Sequence, residues 1–78
     1  MESTIAETLD TKGLSCPLPI LRAKKAIGKL GAGEVLEVLA TDPGAIKDFE
    51  AFSRATGHEL LESSEDAGVF RFLLKKSG

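Results

Sequence analysis

Pro17 and Pro43 each head a segment with helical apolar spacing, and each of those segments follows a short stretch of strand character. Proline suits the first turn of a helix, where its missing N–H has no partner to lose, and disrupts a helix further in. Two such helix starts within 78 residues divide the chain into alternating strands and helices. Residues 4–10 predict a strand with Ile5 and Leu9 on one face, broken at Lys12-Gly13. Residues 17–30 predict the first helix, with Ile20, Ala23, Ile27 and Leu30 at helical spacing and Gly31 as its stop. Residues 34–41 hold Val35, Leu36, Val38, Leu39 and Ala40, the nearly unbroken apolar run of a central strand.

Asp42, a good N-cap residue, precedes Pro43 and predicts a second helix over 43–56, with Ala45, Phe49 and Phe52 on one face. The remainder predicts a hairpin of 59–63 and 69–75 around the polar turn 65–68. The order β-α-β-α-β-β implies an α+β, two-layer sandwich: a four-stranded mixed sheet with its last strand antiparallel to the others. Right-handed crossovers stepping the same way put both helices on one face and leave the other face open.

Length allows one hydrophobic core, so residues 1–78 are expected to form a single domain. Hydrophobic residues at 42% and charged residues at 28% fit an ordinary globular chain. No apolar run approaches the roughly 18 residues of a membrane span, and residues 1–10 lack the features of a signal peptide, so a cytoplasmic location is expected. The net charge of −2 argues against a dedicated nucleic-acid binder. Charge is uneven, however: residues 14–33 carry Arg22, Lys24, Lys25 and Lys29 and no acid.

Cys16 is the sole cysteine and His58 the sole histidine, which excludes an internal disulfide, a CxxC redox pair and a multi-cysteine metal site. Any sulfur partner of Cys16 lies on another molecule. Standing before Pro17, Cys16 is expected in extended geometry at the N-cap, with Pro17 at the first helical position. The sulfur would then face the positive helix end and accept a hydrogen bond from Leu18 N–H, with Arg22, Lys24 and Lys25 adding positive potential. Together these predict a lowered thiol pKa. Pro19 removes a second donor, so the Cys-Pro-Leu-Pro run is expected to stiffen the junction and project the sulfur outward. The alternative is a small buried hydrophobe, a common state of free cysteine.

Leu9-Asp10, Gly13-Leu14 and Cys16-Pro17-Leu18-Pro19 resemble the signature of the TusA/SirA family of small sulfur-carrier proteins. The resemblance continues through Gly33-Glu34, Asp42-Pro43, the aromatic second helix, Gly57-His58-Glu59-Leu60 and Phe70-Arg71-Phe72-Leu73-Leu74-Lys75, covering residues 9–76. It implies a sheet order of 1-2-4-3 and a function in sulfur relay. Cys16 would accept sulfane sulfur as a persulfide from a donor protein, a cysteine desulfurase or a rhodanese, and pass it to an acceptor such as a DsrE-type subunit. No metal and no cofactor is called for. A second cysteine in the chain would expel the sulfur as sulfide, so a lone thiol protects its cargo.

Gly13, Pro17 and Pro19 belong to the motif and helix start. Arg22, Lys24 and Lys25 are either a solvated helix face or, next to a reactive thiol, a docking surface that speeds encounter with partners. Asp42 is either an N-cap alone or a partner contact near Cys16, because helices that follow parallel strands start at the same end of the sheet; there its charge would oppose the cations and raise the thiol pKa. Phe49, Phe52, Phe70 and Phe72 are expected in the core, and His58 is expected as an exposed turn residue rather than a base for Cys16. Nucleotide-binding glycine motifs are absent.

The leading expectation is a carrier-type sulfurtransferase, monomeric when free. The alternatives are a non-catalytic interaction module, regulatory or nucleic-acid-binding, that tolerates Cys16→Ser, and a redox-sensing thiol. Members acting in transfer RNA thiolation typically carry an acid between the two prolines. Leu18 at that position leans toward sulfur oxidation or general sulfur trafficking.

Overall fold

The alternating strands and helices form β1 (Ile5–Thr11), α1 (Leu18–Ile27), β2 (Val35–Ala40), α2 (Ala45–Thr56), β3 (Glu59–Asp66) and β4 (Val69–Lys75) in a computed structural model that describes residues 5–77. The expected strand start at Thr4 lies outside the described residues. One mixed sheet has the order β1-β2-β4-β3. Strands β1 and β2 are parallel, and β4 runs antiparallel to β2 and β3 on either side of it.

Both helices pack on the same sheet face. Ala23, Ala26 and Ile27 of α1 and Ala45, Phe49 and Phe52 of α2 share one core with Leu36, Val38 and Ala40 of β2 and Phe70, Phe72 and Leu74 of β4. The four phenylalanines are all buried, and Phe49 stacks on Phe72 with ring centroids 4.5 Å apart. That contact pins α2 to a central strand. The other face is open but polar along its middle: Thr8 Oγ1 donates to Glu37 (2.8 Å), Arg71 bridges Glu37 and Glu62, and Ser64 Oγ donates to Glu62 (3.0 Å). This ladder crosses all four strands and pairs Glu37, Arg71 and Glu62 on the uncovered face.

Several element ends differ from expectation. Helix α1 stops at Ile27 rather than residue 30, because Lys29 and Leu30 N–H bond back three residues to Ala26 and Ile27 carbonyls (3.1 Å each). These tighter turns end the α-helix, and Lys76 Nζ caps the freed carbonyls of Gly28 and Leu30. Helix α2 starts at Ala45 rather than Pro43, since Ala45 and Ile46 N–H likewise bond back three residues, to Asp42 and Pro43 carbonyls. Its N-cap is Gly44 and no side chain caps it, so the expected N-cap role of Asp42 is not realised. Gly57, at φ 83°, closes α2 in the left-handed region where glycine has no steric penalty. Strand β3 continues to Asp66 because the turn narrows to Ala67-Gly68, both with positive φ. Edge strand β3 is held by backbone pairing to β4, which needs no apolar pattern.

Candidate functional site

Because β1 and β2 are parallel, the loops leaving them emerge at the same end of the sheet, where two side-chain bonds clamp one to the other. Gly13, at φ 85°, donates its N–H to Thr41 Oγ1 (2.9 Å), and Cys16 donates its N–H to Asp42 Oδ2 (2.8 Å). Gly13 thus belongs to the loop clamp rather than to the helix cap. Asp42 lies beside Cys16 as expected, with its carboxylate holding the cysteine backbone in place of capping α2.

Cys16 is exposed, as expected of a sulfur that must meet other molecules. It is not the N-cap of α1. Residues 15–18 form a turn closed by Leu18 N–H to the Ser15 carbonyl (2.9 Å), with a cis Cys16–Pro17 bond; Pro17 takes the N-cap position and Leu18 begins the helix. Leu18 N–H is therefore already engaged and does not reach the sulfur. Pro19, in the first turn of α1, is buried.

The sulfur points instead toward α2, where Cys16 Sγ–H donates to Asp48 Oδ2 at 2.8 Å. The hydrogen bond to Asp48 pushes the thiol pKa up from its ordinary value, helped by partial loss of hydration and by the negative charges of Asp48 and Asp42. This overturns the lowered thiol pKa expected from the helix end and the cations. The reason is geometric: the nearest charges are the two carboxylates supplied by the β2–α2 segment, and neither forms an ion pair among the described residues. Asp48 escaped the sequence reading because an acid in the first turn of a helix already has an explanation in the helix dipole. Its available signal was topological, since the shared sheet end makes the first turn of α2 a neighbour of Cys16.

Arg22, Lys24 and Lys25 are all exposed on α1. Arg22 and Lys25 join Lys29, Glu7, Leu9 and Ala26 around a shallow groove of about 240 Å³ between α1 and β1, while Lys24 lies outside it. Leu18 of the Cys-Pro-Leu-Pro segment and Leu21, which sequence reasoning did not place at the site, are 43% and 54% exposed in the first turn of α1, next to the Cys16 turn. Leu21 falls off the core spacing of Ile20, Ala23 and Ile27, which was the readable signal. His58 is half-buried rather than an exposed turn residue: its Nδ1 accepts from Ser77 N–H (3.0 Å) and its ring lies against Phe52. It follows the far end of α2, whose last residue Thr56 is about 12 Å along the helix from Asp48, and has no part in the thiol site. Among the described residues no cluster of three His, Cys, Asp or Glu side chains is arranged to hold a metal, and no helix is long and apolar enough to cross a membrane.

Known proteins match this chain along nearly its whole length. The family described as Sulfurtransferase TusA matches residues 7–76. The chain belongs to the TusA family. The sulfur carrier protein TusA of Allochromatium vinosum is 59% identical to it over 71 residues, covering 91% of this chain and 93% of the relative. The sulfur carrier protein TusA of Pseudomonas putida is 43% identical over 68 residues, covering 87% and 85%. The crystal structure of a SirA-like protein from Desulfitobacterium hafniense superposes with a TM-score of 0.81 at 31% identity, covering 92% of this chain and 99% of that one. The resemblance read from the Cys-Pro-Leu-Pro segment and the two-layer α+β architecture are both borne out, and the TusA family is one of sulfur carriers.

Proposed function

We propose that this TusA-family chain, as a single domain over residues 1–78, relays sulfane sulfur as a persulfide on Cys16. The observation that carries the reading is an exposed thiol, held on a clamped loop, in a chain with no second cysteine to discharge it. In loading, Cys16 Sγ attacks the outer sulfur of a donor persulfide R–S–SH. An Sγ–S bond forms, the donor S–S bond breaks with its electron pair on R–S⁻, and the proton leaving Cys16 completes R–SH. In delivery the acceptor thiolate attacks the outer sulfur of the Cys16 persulfide, and Cys16 leaves as the thiolate. Neither step is a net oxidation, and no cofactor is invoked. The protein is in this sense a carrier-type sulfurtransferase.

The donor is a cysteine desulfurase or a rhodanese and the acceptor a DsrE-type subunit, each meeting a monomer. Arg22, Lys24 and Lys25 form the charged part of the docking surface, and Leu18 and Leu21 supply exposed apolar area beside the thiol. Asp42 contributes chiefly by holding the Cys16 backbone. Leu18, in place of an acid between the prolines, favours sulfur oxidation or general trafficking over transfer RNA thiolation. The test is intact mass after incubation with a sulfane-sulfur donor, before and after reduction. A reducible gain of one sulfur in the wild type and none in Cys16→Ser is expected. An equal gain in both, or none in either, would overturn the carrier reading in favour of an interaction module.

A further inference from the structure

The carrier reading leaves one feature of the site unused: among the described residues, the one side chain bonded to the sulfur is an acid. Asp48 Oδ2 takes the hydrogen of Sγ at 2.8 Å, and Asp42 Oδ2, on the segment leading into the same helix, holds the backbone N–H of the same residue at 2.8 Å. The other charged groups on the surrounding elements, Lys12 of the β1–α1 loop, Arg22, Lys24 and Lys25 of α1 and Lys47 of α2, make no hydrogen bond to Cys16, and Lys12 is turned toward Asp10. A nucleophile built for constant readiness has the opposite surroundings, a cation or a free helix end.

The geometry points to Asp48 as a positioning residue that holds Cys16, in the empty carrier, as a hydrogen-bonded thiol which becomes a nucleophile only when a donor protein engages Asp48. This rests on the carrier reading and adds to it a control of the same site. With Asp48 in place, adventitious electrophiles and oxidants meet a thiol rather than a thiolate, although the sulfur is exposed. A donor that brings a cation or an N–H group to Asp48 removes the bond that retains the proton. The proton released from Sγ then completes the departing R–S⁻ as R–SH, while the Sγ–S bond forms and the donor S–S bond breaks. Proton and electron pairs balance without a reductant. The partner is therefore expected to present a basic or hydrogen-bond-donating group toward α2, as well as a surface for the cations of α1.

The test is the rate of Cys16 alkylation by iodoacetamide as a function of pH, for the full chain and for Asp48→Asn, Asp48→Glu and Asp42→Asn. The wild-type profile is expected to have its midpoint above that of an unperturbed cysteine. Asp48→Asn is expected to move it down and to speed alkylation at neutral pH severalfold, Asp48→Glu to restore much of the wild-type profile, and Asp42→Asn to shift it less. A wild-type midpoint at or below that of a free cysteine, an unmoved Asp48→Asn profile, or equal shifts for Asp48→Asn and Asp42→Asn would each overturn the assignment. The wild-type measurement decides even if a variant folds poorly. Parallel mass measurement on the wild type with a sulfane-sulfur donor keeps the two readings apart: a missing sulfur gain removes the carrier reading, whereas the alkylation profile alone decides whether Asp48 controls the thiol.

Discussion

The two helix starts sit side by side at one end of the sheet and are built in opposite ways. The start of α1 carries prolines at the N-cap and second position, no acid in its first turn, and the thiol just before it. The start of α2 carries Asp48 in its first turn and Asp42 on the segment leading to it. Each start taken alone suggests simple capping, with a thiolate stabilised at the first and a carboxylate at the second. Together they do something else: the carboxylates of the second start are bonded to the cysteine of the first. The lesson is that the charge state of a helix-terminal group is set by whichever charge is nearest in space, and across a parallel sheet that charge can belong to the next crossover.

The largest effect is expected from removing the thiol itself. Cys16→Ser keeps the turn and the Asp42 bond to the backbone, so it is expected to fold as the wild type does and to lose reducible sulfur uptake completely, as read by intact mass. Next is the anchor that holds the second start in place. Phe49, adjacent to Asp48, is fully buried and stacked on Phe72, so Phe49→Ala is expected to lower stability by about 3–5 kcal/mol in urea unfolding. At pH values where the variant remains folded, its alkylation profile should also move toward that of Asp48→Asn. A stable variant with an unchanged profile would show that the two starts do not depend on each other.

A smaller effect is expected from the clamp between the loops. Asp42→Ala removes one hydrogen bond to a half-buried charged group, worth about 1.5 kcal/mol, and is expected to raise amide exchange at Cys16 more than in β2. The smallest effect concerns a carboxylate that does have its cation. The hydrogen bond from Arg71, with a lesser one from Thr8, holds the Glu37 pKa below the ordinary carboxylate range. A carboxylate whose pKa falls on folding adds stability above its unfolded pKa and loses it as pH drops through the folded value. Wild-type stability is therefore expected to fall in that acid window, with a shallower fall in Glu37→Gln, followed by thermal unfolding at a series of pH values. Equal slopes would show that the ladder on the open face contributes nothing measurable, as exposed ion pairs often do.

Local chemistry was sufficient for much of this molecule. Proline and glycine positions, apolar spacing and the order of elements determined by themselves the strands and helices, the two-layer sandwich, the burial of all four phenylalanines and the neighbourhood of Cys16 and Asp42, because these depend on short-range sterics and on which face must leave water. The Cys-Pro-Leu-Pro segment with its flanking residues carried the TusA family. Helix ends were less legible, since three-residue back-bonds and the cap from Lys76 compete with the apolar pattern at each terminus. Only the tertiary structure decided the direction of the Cys16 side chain, its hydrogen bond to Asp48, the sign of its pKa shift, the exposed leucines beside it and the polar ladder over the open face. Hydrogen bonds and Coulomb forces act over a few ångströms of space, and Cys16 and Asp48 come within that range only because two parallel strands bring their loops out at the same end of the sheet.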